Sequence, residues 1–143
     1  IRVLMLTGAR LSEIREAKRS QYRDKVLDLR THKTDDKIGG RVIAFSDAAD
    51  AVVQAVKPRR GWLVGFNSYP NAAWELVRAK AKLTDFTLHD LRHSFASTAI
   101  SEGFTLDEIG EVLGHTDAAT TKRYAHLNEE RQRKIAEAVA LKR

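Results

Sequence analysis

The sequence predicts an α+β fold that is mainly α-helical, with one small antiparallel β-sheet. Three observations predict it. Several segments carry apolar residues at helical spacing behind good capping residues. Two short apolar runs, residues 25–29 (KVLDL) and 41–45 (RVIAF), flank a polar loop ending in Gly39-Gly40, which reads as an antiparallel hairpin. The 143 residues are 43% hydrophobic and 31% charged, which suits one real core, and no run of about 18 apolar residues suggests a membrane span.

Residues 1–6 (IRVLML) read as the end of a core helix that Gly8 breaks, so the chain is expected to be part of a longer protein. Residues 11–18 are helical again, with Leu11 and Ile14 facing inward. Tyr22-Arg23-Asp24 reads as a turn into the first hairpin strand. After the second strand, Ser46 caps a helix over residues 47–56, stopped by residues 58–61. Residues 62–66 (WLVGF) are expected as a third short strand. Pro70 and Asn71 open a helix to about residue 83. Thr87 precedes a long helix over 88–102, with Leu88, Leu91, Phe95 and Ala99 as its apolar stripe and Gly103 closing it. Thr105 and Glu108 have capping-box spacing. Their helix carries Leu106, Ile109, Val112 and Leu113 and ends at Gly114. Thr116 starts a short helix through Tyr124. Asn128 caps the last helix, whose inner stripe is Ile135, Ala138, Val139 and Leu141. No internal repeat or linker appears, so residues 1–143 are expected to form one domain.

The charge balance narrows the function classes. Lys and Arg number 25 against 19 Asp and Glu, giving +6 and a pI near 9.8, which favours an anionic partner such as nucleic acid. There is no cysteine, so disulfides and thiolate metal sites are excluded.

Three clusters could carry chemistry. His89, Arg92 and His93 lie at i, i+3 and i+4, so one helix offers an imidazole and a guanidinium together. Such a pair can hold two oxygens of one phosphate, although for this cluster alone a solvated polar face is the favoured reading. Leu113-Gly114-His115-Thr116 ends a helix, and Tyr124 follows His115 by nine residues. Residues 7–14 (TGARLSEI) set Arg10 just after a glycine break with Glu13 behind it, a pattern for a positioned cation. His89 and His93 also have a zinc-ligand spacing, but an arginine between them would repel a cation and no third ligand is apparent, so no metal or other cofactor is expected. A serine hydrolase is disfavoured because Ser94 and Ser97 lack a glycine elbow.

Taken together, these segments resemble the tyrosine recombinase (phage integrase) family. TGARLSEI resembles its first arginine motif, HDLRH its His-x-x-Arg motif, and LGHTDAATTKRYAHL its closing His-to-Tyr motif, in the family's order. THKT resembles the strand-then-Lys-Thr pattern of the family's hairpin. The resemblance covers nearly the whole chain. It implies that Arg10 and Arg92 clamp a phosphate, that His89 and His115 are the two motif histidines, and that Tyr124 is the nucleophile. It also implies that Lys33 is the general acid, with Lys37 in the same loop as the alternative.

The implied reaction is metal-independent cutting and rejoining of double-stranded DNA through a 3′-phosphotyrosyl link. The implied setting is a cytoplasmic, DNA-associated protein of bacterial or phage origin that self-associates as a tetramer on DNA. The family has at least one more helix and a DNA-clasping domain ahead of the first arginine, so residues 1–143 are expected to be an N-terminally truncated catalytic domain without them. An inactive DNA-binding or assembly module of the same fold and a type IB topoisomerase-like strand transferase are the alternatives.

Overall fold

The computed structural model describes residues 1–30, 41–57, 59–65, 68–115 and 133. Lys33, Lys37, Tyr124 and the helices expected over 116–124 and after Asn128 lie outside the described residues. The chain divides into two compact units, Ile1–His93 and Ser94–Arg143.

In the first unit, α1 (Arg2–Thr7) ends at Gly8, which takes the left-handed conformation (φ 63°) and donates its N–H to Leu4 O at 3.0 Å. α2 (Leu11–Glu16) follows at once. Ile14 is buried and Leu11 partly so, as the spacing predicts. Three strands then form an antiparallel sheet in the order β1 (Tyr22–Arg23), β2 (Val26–Asp28), β3 (Val42–Ala44). The expected hairpin is the β2–β3 pair, with Leu27 opposite Ile43.

The edge strand corrects the sequence reading twice. Tyr22 and Arg23 pair with β2 as a strand instead of turning; the turn is Asp24-Lys25, both at positive φ (50° and 61°), as tight hairpins require. Residues 62–65 form no third strand, and Phe66 lies outside the described residues. Trp62 makes one isolated bridge to Lys18, whose ammonium lies 2.9 Å from the indole centroid.

α3 (Asp47–Ala55) starts where Ser46 Oγ accepts from Ala49 N–H at 3.2 Å, the expected cap. It packs against α1. Arg19 donates to the Val53 carbonyl at 3.1 Å, tying a cation to the negative end of α3. α4 (Asn71–Lys80) buries Trp74. The core of this unit gathers Val3, Leu4, Ile14, Leu27, Ile43, Phe45, Val53, Leu63 and Leu91, with further buried neighbours.

α5 (Asp90–Glu102) begins at a reciprocal cap. Thr87 Oγ1 accepts from Asp90 N–H at 3.3 Å, and Asp90 Oδ2 accepts from Thr87 N–H at 2.7 Å. Leu88 and His89 form the turn inside that cap. The buried face of the helix is Leu91, Arg92, Ala96 and Ile100, whereas Phe95 and Ala99 are only partly buried. Leu88 and Leu91 are thus buried as the stripe predicts, the buried positions further along are Ala96 and Ile100 instead of Phe95 and Ala99, and the buried face also holds the Arg92 guanidinium.

In the second unit, Ala96 and Ile100 of α5 meet Ile109 and Leu113 of α6 (Leu106–Leu113) in a small core. The Thr105–Glu108 capping box forms as expected, with Thr105 N–H donating to Glu108 Oε2 at 2.7 Å. Val112 is exposed despite its apolar spacing, and Gly110 is buried instead.

Leu27 is fully buried at the centre of the sheet, whereas Val42 on β3 is 42% exposed. Leu27→Ala is expected to lower unfolding stability by about 2–5 kcal/mol, and Val42→Ala by no more than about 0.5 kcal/mol. Urea denaturation midpoints check both; similar shifts for the two variants would contradict this burial pattern.

Candidate active site

The site in the first unit is built on the corner between α1 and α2. Thr7 is buried, and its hydroxyl serves two backbone groups: it donates to Val3 O at 2.7 Å and accepts from Ala9 N–H at 3.3 Å. Gly8 supplies the left-handed turn, where a Cβ would cost about 1–2 kcal/mol. The chain then leaves in extended conformation at Arg10, which holds the N-cap position of α2 (φ −69°, ψ 148°). Thr-Gly-Ala-Arg is thus a device for stopping one helix and starting another with an arginine at the junction.

Glu13, one turn into α2, holds that arginine. Its Oε2 accepts from Arg10 backbone N–H at 2.6 Å, and its Oε1 from Arg10 Nη1 at 3.1 Å. A second arginine approaches the same carboxylate. Arg41, immediately before β3, donates Nε to Oε1 and Nη2 to Oε2, each at 2.8 Å. This is the parallel two-bond fork that guanidinium and carboxylate planes permit. Glu13 and Arg41 side chains are each 13% exposed, whereas that of Arg10 is 36% exposed. Burial alone would raise the Glu13 carboxyl, but hydrogen bonds and charge from Arg41, then from Arg10, hold it below its ordinary value.

The sequence reading placed Glu13 behind Arg10, which the geometry matches, and it missed Arg41. The available signal was electrostatic: a carboxylate set in a buried helix start needs more cation than one half-exposed arginine.

Arg92 reaches the same corner from α5. It is only 4% exposed, and its Nη1 donates to the carbonyl of Gly8 at 2.8 Å. The two arginines expected to act together are therefore joined by one short stretch: Arg92 on Gly8 and Arg10 two residues later. The sequence sets Arg92 on the face beside the apolar stripe. It lies on the buried side, held by a backbone carbonyl.

His89 sits in the turn that opens α5, ahead of the helix itself, and is exposed. Its carbonyl accepts from Arg92 N–H at 3.0 Å, so imidazole and guanidinium leave adjacent turns. The His89 and His93 rings meet edge to face, with centroids 4.8 Å apart. Hydrogen bonds from the Thr87 hydroxyl and N–H hold the Asp90 carboxyl below its ordinary value, with the nearby histidines adding to the effect. Among the described residues, no group of three or more His, Asp or Glu side chains could hold a metal ion. No helix among them is long and apolar enough to cross a membrane.

His115 belongs to the second unit. It follows Gly114, which closes α6 at positive φ (66°), and donates its backbone N–H to Gly110 O at 2.9 Å. The helix end thus fixes the histidine's backbone, and its side chain is partly buried.

A family model described as the phage integrase family matches residues 1–131. A tyrosine recombinase XerC from Roseiflexus castenholzii is 45% identical over 60 residues, covering 40% of this chain and 19% of the relative. A XerC from Staphylococcus carnosus is 38% identical over 61 residues, covering 43% and 21%. Those matches thus span about a fifth of each of these relatives. Among solved structures, the catalytic domain of bacteriophage HP1 integrase superposes with a TM-score of 0.69 at 28% identity, covering 95% of this chain and 77% of that one. XerA recombinase gives a TM-score of 0.70 at 24% identity, covering 95% and 54%, which supports the fold.

The lowered Glu13 carboxyl makes a pH prediction. A carboxyl that binds its proton more weakly when folded adds stability that is complete above its ordinary value of 4.5 and is lost as pH falls through the lowered folded value. Glu13→Gln is expected to lower Tm near pH 7 and to flatten its decline in the acid range. Melting curves from pH 7 to pH 2 check this; an unchanged acid slope in the variant would contradict it.

Proposed function

Because the chain belongs to the phage integrase family, we propose that it is the catalytic part of a tyrosine-type site-specific DNA recombinase. The observation that supports this most is the Thr7–Arg10 corner, which presents Arg10 while receiving the buried guanidinium of Arg92. Two permanent cations converging from separate elements suit a phosphodiester, whose charge rises in the five-coordinate transition state.

The residue roles follow the family's motifs. Tyr124 is the nucleophile. A free tyrosine has a pKa of about 10, so only about one in a thousand is ionised at neutral pH. Its Oη forms a bond to the scissile phosphorus while the bond from phosphorus to the 5′-oxygen breaks. The phenolic proton passes to a base, for which His115 and His89 are the candidates, either of which could instead hydrogen-bond a phosphate oxygen. The leaving 5′-oxygen takes a proton from Lys33, with Lys37 as the alternative donor. One phosphoester bond replaces another, so attack by a free 5′-hydroxyl reverses the step without ATP. Every charge-stabilising group in this scheme is a side chain, so it calls on no metal or cofactor.

The substrate class is double-stranded DNA. The XerH site-specific recombinase, a structural neighbour with a TM-score of 0.68, was captured bound to its difH substrate. Exchange between two duplexes involves four strand ends, and each nucleophile holds one, so the complete reaction calls for a tetramer on DNA. The expected setting is the cytoplasm of a bacterium or a phage host.

In the intact protein, Tyr124→Phe is expected to abolish covalent capture of a nicked suicide duplex while leaving DNA binding in place. Arg92→Ala is expected to slow capture by about 100- to 1,000-fold, the cost of losing one transition-state donor. Wild-type capture should persist in EDTA. Denaturing gels and peptide mapping of the adduct test all three. An adduct on Tyr22 or Tyr69 would overturn the nucleophile assignment, and no adduct from the wild-type protein would make it a DNA-binding module.

A further inference from the structure

We infer that Arg41 is a positioning residue that orients Arg10 for phosphate, acting through Glu13. The inference rests on the reading of Arg10 as a phosphate-clamping arginine.

The hydrogen bonds around Glu13 are symmetrical. Oε1 accepts from Arg41 Nε at 2.8 Å and from Arg10 Nη1 at 3.1 Å. Oε2 accepts from Arg41 Nη2 at 2.8 Å and from Arg10 backbone N–H at 2.6 Å. Arg41 therefore fixes the carboxylate plane, and that plane sets where Arg10 is anchored. Arg41 is itself held by the sheet, since its carbonyl accepts from Leu29 N–H at 3.0 Å at the end of the β2–β3 pair.

Charge gives the arrangement its purpose. Arg10 and Glu13 alone sum to zero, and a half-exposed arginine facing an uncompensated carboxylate would be drawn onto it. With Arg41 the trio carries one net positive charge. The two-bond fork goes to the inner arginine, at 13% side-chain exposure, and a 3.1 Å side-chain bond to the outer one, at 36%. Of the two guanidiniums on Glu13, Arg10 is thus the one nearer solvent. Arg41 offsets the Glu13 charge while Glu13 orients Arg10.

The test uses the intact protein and a nicked duplex that traps the covalent adduct, with single-turnover rate constants, adduct amplitude, DNA affinity and Tm measured for each variant. Arg41→Ala should slow adduct formation about 10- to 100-fold, the range for losing an outer partner of a functional ligand. DNA affinity should stay within about threefold, because many phosphate contacts share it. Arg41→Lys keeps the charge and loses the fork, so it should fall between Arg41→Ala and wild type; it also carries the test if the alanine variant does not fold. In an Arg10→Lys background, Arg41→Ala should add less than about threefold, because the two act through one group. A near-wild-type rate constant with reduced amplitude and Tm would make Arg41 merely structural and overturn the inference. Losses that multiply in the double variant would overturn it as well. Arg10→Lys at the wild-type rate would instead sink the phosphate-clamp reading itself.

Discussion

A guanidinium cannot shed its charge, so an arginine buried to 4% exposure constrains everything packed around it. Arg92 meets that constraint in part with the carbonyl of Gly8. That carbonyl is available because Gly8 has left the helix. Its left-handed backbone ends α1, and the Thr7 hydroxyl bonds the Val3 carbonyl before the turn and the Ala9 N–H after it. The turn that accepts Arg92 is the turn that delivers Arg10. A neutral carbonyl orients a buried cation without cancelling it, which is the electrostatic condition an incoming phosphate requires.

Glu13 extends the same logic to the exposed side of the corner. A carboxylate in the first turn of α2 is favourable for the helix, where N–H groups lack partners. It would also be a hazard in a site meant for an anion, since it repels phosphate and attracts arginine. The fork from Arg41 resolves the conflict by compensating the carboxylate from the sheet side. α1, α2, α5 and β3 thereby all contribute to one small region of the first unit, although their sequences lie far apart.

Much of this was legible in the sequence wherever the signal is local. Gly8 and Gly114 as helix ends, Ser46 and Thr105 as caps, and the hairpin around Leu27 and Ile43 each depend on chemistry within a few residues. Arg10 with Glu13 behind it was legible for the same reason. What failed was non-local. Tyr22 pairs as an edge strand because β2 is beside it, and residues 62–65 look like part of a strand but meet the chain at Ala17 and Lys18 without extending into one. The second half of the stripe on α5 is offset by one residue, from Phe95 and Ala99 to Ala96 and Ile100, and Arg92 is buried against a carbonyl contributed 84 residues earlier. Arg41 was missed because nothing near it in sequence shows that Glu13 is its partner. Tyr124 and Lys33, the residues on which the chemistry would turn, were readable only from motif resemblance.

The central claim is that Arg10 and Arg92 hold one phosphate from a single corner. A crystal structure of the intact protein trapped on a nicked duplex tests it most directly. The account predicts that non-bridging oxygens of the scissile phosphate lie within about 3.2 Å of both guanidiniums, with Arg92 still bonded to Gly8 O and Glu13 still forked by Arg41. A scissile phosphate held by neither arginine, or an Arg92 that abandons Gly8 and stays away from the phosphate, would contradict it.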